Sequence, residues 1–216
     1  MLYFANPCSP RVVAAMRDGL LGYIDTPAQG NVRPNGMTWC ADNGCFGSGY
    51  PGDEAWFGWL EAHANDAETC AFAVAPDVVG NAAATLARSL PWLSRIRDLG
   101  YPAALVAQDG LEGLSVPWSE LDALFVGGTT EWKLGRYVPP LVREAKERGK
   151  WVHMGRVNSA LRYRYAEYIG CDSVDGTFLT FGPDKNLPIL LSWGAHPLLI
   201  GEKSDALLAA ALKGLS

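Results

Sequence analysis

In the octapeptide WCADNGCF, residues 39–46, an aspartate follows an apolar run and precedes a glycine turn. The arrangement recurs: CAFAVAPD ends on Asp77, AALVAQDG carries Gln108 and Asp109, and GCDSVDG carries Asp172 and Asp175. A single aspartate behind a strand is more often a cap for backbone N–H groups than a reacting group. Several brought to one place differ, because like charges raise each other's pKa and cost stability unless they are used. Carboxylates so arranged are suited to nucleophilic attack and proton transfer. Asp42, Asp77, Gln108 and Asp175 are the candidate site residues on this ground, and Asp109 and Asp172 are assigned to turns.

Convergence of these side chains demands a fold that brings strand ends together. Eight short apolar runs, at 2–6, 22–26, 37–43, 70–77, 103–110, 123–128, 150–155 and 171–176, read as strands. Helical periodicity occupies 53–64, 81–100, 135–149 and 159–170, with Gly100, Gly149 and Gly170 at the stops. The segment after 176 is apolar but irregular, and 204–215 reads as a closing helix. Near-continuous apolar strands alternating with helices predict a parallel sheet, and eight of them in 216 residues predict an α/β fold, a compact single-domain (β/α)8 TIM-like barrel. In such a barrel the loops after the strands form the active face, which gathers the four residues at one mouth together with Gly127, Gly128, Met154 and Gly155.

Composition narrows the function classes. The net charge of −5 argues against a surface coated with phosphate-binding cations, although basic residues cluster late in the chain, from Lys133 to Lys185. Five cysteines without a CxxC pair and three scattered histidines offer neither a disulfide framework nor a zinc site, so no metal is expected. The N-terminus lacks a basic region before an apolar run and no stretch is long enough to span a bilayer, so a cytoplasmic protein without membrane contact is expected.

The motifs resemble those of the tRNA-guanine transglycosylase superfamily. ADNGCF is similar to the family's D-S-G-G-[YF], FVGGTTE to its G-G-L-x-x-G-E, VHMG to its V-M-G-V-G, and GCDSVDG to its G-x-D-x-F-D-C. They occur in the family's order over residues 37–178. The family's zinc subdomain has no counterpart after Cys171, and Glu131 stands three residues beyond Gly128, displaced from the family's glutamate. The chain is thus most similar to the short, zinc-free phage DpdA-type enzymes that place 7-deazaguanines into DNA.

This resemblance implies an exchange of guanine in DNA for a free 7-deazaguanine base, without a cofactor, in the host cytoplasm if the chain is phage-encoded. It assigns Asp175 as nucleophile and Asp42 as acid–base group. It gives Asp77, Gln108, Gly127, Gly128, Asn43 and Gly155 to the base, with Phe46 and Met154 as its sandwich. Lys133, Arg136, Arg156, Arg162 and Arg164 form a basic strip for flanking phosphates, the alternative being a solvated helix face. Competing readings are a free-nucleoside hydrolase or transferase, which needs no basic strip, a tRNA-guanine transglycosylase, and a non-catalytic purine-binding barrel.

Overall fold

In the computed structural model, which describes residues 1–30 and 32–195, eight strands close into one all-parallel barrel in sequence order. They are β1 (Leu2–Ala5), β2 (Gly22–Asp25), β3 (Trp39–Ala41), β4 (Cys70–Val74), β5 (Ala103–Ala107), β6 (Ala123–Val126), β7 (Trp151–Met154) and β8 (Ser173–Asp175). Each falls within one of the apolar runs read as strands. Pairing of β1 with β8, Leu2 against Ser173 and Phe4 against Asp175, closes the circle. This is the (β/α)8 barrel architecture expected from the sequence.

The helices are α1 (Pro10–Arg17), α2 (Asp53–Ala62), α3 (Ala82–Asp98), α4 (Thr130–Lys133), α5 (Val138–Glu147), α6 (Ala160–Ile169) and α7 (Pro183–Ser192). Ser9, Asn81 and Ser159 cap α1, α3 and α6 by accepting an N–H from the first turn, and Gly170 ends α6 in the left-handed conformation. Helix α7 corrects the reading of the segment after 176 as irregular. Pro183 opens it, where a missing N–H costs nothing, while Pro188 inside it disguises the pattern. The helix expected over 204–215 lies outside the described residues.

Strand alternation sends side chains to two cores. Outward residues such as Trp39, Leu105, Leu124 and Met154 pack under the helices. Inward, Phe4, Phe72, Phe125 and the imidazole of His153 fill the barrel, with Phe125 and His153 tilted to each other at 4.5 Å and Phe4 and Phe72 edge to face at 5.8 Å. This plug of rings floors the mouth above it, and edge-to-face pairs of this kind are worth about 0.5–1.5 kcal/mol each beyond their burial.

Candidate active site

At the C-terminal ends of the strands a cavity of about 470 Å³ opens, lined by Asp42, Asn43, Phe46, Asp77, Gln108, Gly127, Gly128, Gly155, Arg156, Arg162 and Asp175. Of the residues that strand-end logic gathered at one mouth, Asp42, Asp77, Gln108, Gly127, Gly128, Gly155 and Asp175 are thus neighbours in space, and Met154 is not among them. The same logic would have found Asn6 and Thr26, which close the runs LYFAN and GYIDT and form the opposite polar wall with Gln29, Asn158 and Thr177.

One wall is a network whose orientation is set by the backbone. Gln108 Oε1 accepts N–H groups from Gly80 and Gly128, both at 2.9 Å, so its amide nitrogen must face Asp77, to which it donates at 2.6 Å. Asn43 Oδ1 accepts the Cys45 N–H at 2.7 Å, so its nitrogen also faces Asp77, donating at 2.9 Å. Asp77 is therefore an acceptor at both oxygens, and a carboxylate has further lone pairs to offer a ligand in the cavity. Gly128 makes this possible: at φ 55° it takes a conformation that L side chains rarely adopt, and a Cβ there would collide with the Trp132 ring.

The other wall holds Asp175. Its Oδ2 accepts from His153 Nε2 at 2.8 Å, and its Oδ1 accepts the Arg156 N–H at 3.0 Å. Burial alone would raise its pKa, but the contacts of His153, the Arg156 N–H and the nearby Lys133 ammonium bring it below the ordinary carboxylate value. Asp42 is moved the other way, to about 7, by burial first and by the charge of Asp175 next, with partial relief from the N–H groups of Gly44 and Asn43. Two carboxylates facing one cavity therefore differ in protonation near neutral pH.

Arg156 is tied to both walls. Among the described residues it is the non-glycine residue with positive φ, at 62°, a conformation that costs on the order of 1–3 kcal/mol and here aims its N–H at Asp175. Its guanidinium donates to the carbonyls of Gly127 and Gly128 and lies 4.4 Å from the centre of the Phe46 ring. Phe46 is 66% exposed, an apolar ring held over the mouth. At Gly155 a Cβ would stand 2.8 Å from the Phe125 ring and 3.3 Å from Asp175 Oδ2, so a side chain there would press on the carboxylate.

Two assignments need correction. Met154 does not line the cavity: inward parity on β7 belongs to Trp151 and His153, so Met154 points into the helix-facing core and is fully buried. It cannot be the second half of a sandwich. Lys133 is 1% exposed rather than part of a phosphate-binding strip, because the single turn of α4 carries it beneath the mouth, where it donates to the Gly155 carbonyl. Burial, and then the charge of Arg156, lowers its pKa to about 7. The peptide whose carbonyl it holds is the one whose N–H binds Asp175.

The rest of the strip is divided. Arg156 and Arg162 line the cavity, whereas Arg136 bonds the Tyr137 hydroxyl on the exposed surface. Arg164 does not line it, since residues two apart on α6 point to different faces. Asp109 holds Thr129 through its N–H and hydroxyl, and Asp172 holds Lys146 and the Val152 N–H, both structural tasks.

Sequence reasoning overlooked His153 and Ser173, which belong to the site from below. Together with Asp175 they resemble a hydrolase triad in composition only. Ser173 is fully buried inside the barrel and does not line the cavity, so its hydroxyl has no access to a substrate. Among the described residues no group of three or more His, Cys, Asp and Glu side chains is placed to hold a metal ion, and no helix is long and apolar enough to cross a membrane. No protein-family model matches the chain, and no curated protein matches it.

Proposed function

We propose that this protein is a transglycosylase that exchanges guanine in DNA for a free 7-deazaguanine base through a covalent Asp175–sugar intermediate. The observation that carries this reading is the opposite displacement of two carboxylates at one mouth, Asp175 kept ionised and Asp42 titrating near neutrality. Pairs of acids whose surroundings separate their pKa values divide nucleophilic and acid–base work between them.

In the first displacement an Asp175 oxygen forms a bond to C1′ as the C1′–N9 bond breaks. The bonding pair leaves with guanine, and the Asp42 carboxyl supplies the proton the departing base takes. In the second, Asp42, now a carboxylate, removes the N9 proton of the incoming deazaguanine while N9 attacks C1′ and the ester bond to Asp175 breaks. Two inversions give net retention. An acid with a pKa of about 7 serves both directions without external help.

The polar wall supports a purine as the exchanged group. Asp77 offers acceptor lone pairs to the N–H donors of a guanine edge, and the second amide hydrogen of Gln108 is a donor for its carbonyl. Phe46 supplies a stacking face and Arg162 a cation at the rim. For DNA the nucleotide must leave the stack, at a cost of a few kcal/mol that stacking and edge contacts repay. The test is incubation with DNA radiolabelled in guanine together with unlabelled deazaguanines. Release of labelled guanine that depends on the added base supports the reading. Release of guanine without incorporation would favour a hydrolase, and turnover of free nucleosides alone would remove DNA as substrate.

A further inference from the structure

Resting on the transglycosylase reading for its consequence but not for its geometry, we infer that His153, Ser173 and Trp151 form a buried relay of fixed polarity that positions the Asp175 carboxylate from inside the barrel. Trp151 Nε1 lies 2.8 Å from Ser173 Oγ, Ser173 Oγ lies 2.8 Å from His153 Nδ1, and His153 Nε2 lies 2.8 Å from Asp175 Oδ2. An indole nitrogen only donates, so the serine oxygen accepts from Trp151. The hydroxyl hydrogen then has one recipient along the relay, His153 Nδ1, and leaving a buried donor unpaired is costly. With Nδ1 accepting, the ring proton sits on Nε2 and is donated to Asp175. His153 is thus a positioning residue, acting through Asp175 without touching substrate.

Among the described residues the ring has no other polar contact. His153 is fully buried, and Phe4, Phe72 and Phe125 approach it with centroids at 5.8, 5.0 and 4.5 Å. Strand register fixes the relay: His153 on β7 pairs with Ser173 on β8, and Asp175 follows two residues later on the same inward face. The charged and titratable groups that also bear on Asp175 are Cys40 in β3, Asp42 just after β3, Tyr3 in β1, Lys133 in α4 and Arg156 after β7. Without the His153 hydrogen bond, the burial of Asp175 would be less opposed and its pKa would rise. The sign follows: the nucleophile must be ionised, so the acid limb of the reaction would move to higher pH.

The first test needs no substrate. Nitrogen NMR of the full chain labelled at its three histidines should show, at neutral pH, one ring protonated at Nε2 with Nδ1 proton-free, and this signal should disappear in His153→Gln. A His153 ring protonated at Nδ1 would overturn the relay. The second test is the pH profile of guanine release. Ser173→Ala should move the acid limb upward by about one pH unit and cut the rate below it about tenfold. His153→Gln, which keeps an N–H donor at similar reach, should restore most of the limb, whereas His153→Phe should not. A loss of rate uniform across pH in Ser173→Ala and His153→Phe would reduce His153 to a packing residue and sink the proposal. A wild-type protein with the expected tautomer but no guanine release would sink the transglycosylase reading and leave the relay standing.

Discussion

Gln108 donates its amide N–H to Asp77 across 2.6 Å, and the orientation of both groups is decided elsewhere, by the Gly80 and Gly128 N–H groups on one side and by Asn43 on the other. A ligand therefore meets a preformed acceptor. Asp77→Asn would turn an amide toward two amides that already donate, so one donor must go unpaired. Discrimination between guanine and adenine should fall by about tenfold or more, seen in kcat/KM for competing bases, with loss in binding exceeding loss in kcat. Unchanged discrimination would move the base-reading role away from this wall.

Asp42→Asn should separate catalysis from stability. The folded pKa of about 7 lies above the ordinary value, so between about pH 4 and pH 7 the native state binds a proton that the unfolded chain has lost, and stability falls as pH rises through that window. The asparagine variant should lack this fall and be more stable than wild type by a few kcal/mol above pH 7, read by denaturant unfolding at pH 5 and pH 8. Guanine exchange should drop by about 10² to 10⁴ because proton transfer is lost. A variant no more stable at pH 8 than wild type would mean that Asp42 is not held in its protonated form.

The two halves of the expected sandwich should behave differently. Phe46→Ala removes an exposed ring over the mouth and should raise KM for the incoming base, since stacking is worth about 1–3 kcal/mol per base. Met154→Leu repacks the helix-facing core and should leave KM unchanged at a cost below about 1.5 kcal/mol in stability. A KM effect at Met154 would contradict its outward placement.

Among the cations, Arg162→Ala should lower the salt slope of DNA binding by about one, and Arg164→Ala and Lys133→Met should leave it unchanged. Arg162 faces the cavity, and the Lys133 ammonium is spent on the Gly155 carbonyl. Equal slopes in all three variants would remove Arg162 from the phosphate contacts.

What could be read from the chain, and what could not, has physical causes. All eight strands were legible because each is a run of apolar residues stopped by a polar or glycine turn, and Asp42, Asp77, Gln108 and Asp175 were legible as candidates because they stand at those stops. Parity was the neglected signal. Counting two residues back from Gly155 and Asp175 gives His153 and Ser173, and counting one back from Gly155 sends Met154 outward. Helix α7 was hidden by its prolines. Lys133 was misplaced because no pattern in GGTTEWK fixes which way a single helical turn directs its last residue.

A covalent bond between Asp175 and the sugar can be trapped and mapped. The direct measurement is denaturing electrophoresis of labelled DNA incubated with wild-type protein in the absence of an acceptor base, followed by peptide mapping of any slow-migrating product. A protein–DNA adduct should form with its sugar attached at Asp175, be released on addition of a 7-deazaguanine, and be absent from Asp175→Asn, which should lose exchange by several orders of magnitude. An adduct mapped to Asp42, or undiminished guanine exchange by Asp175→Asn, would contradict the role of Asp175 as nucleophile.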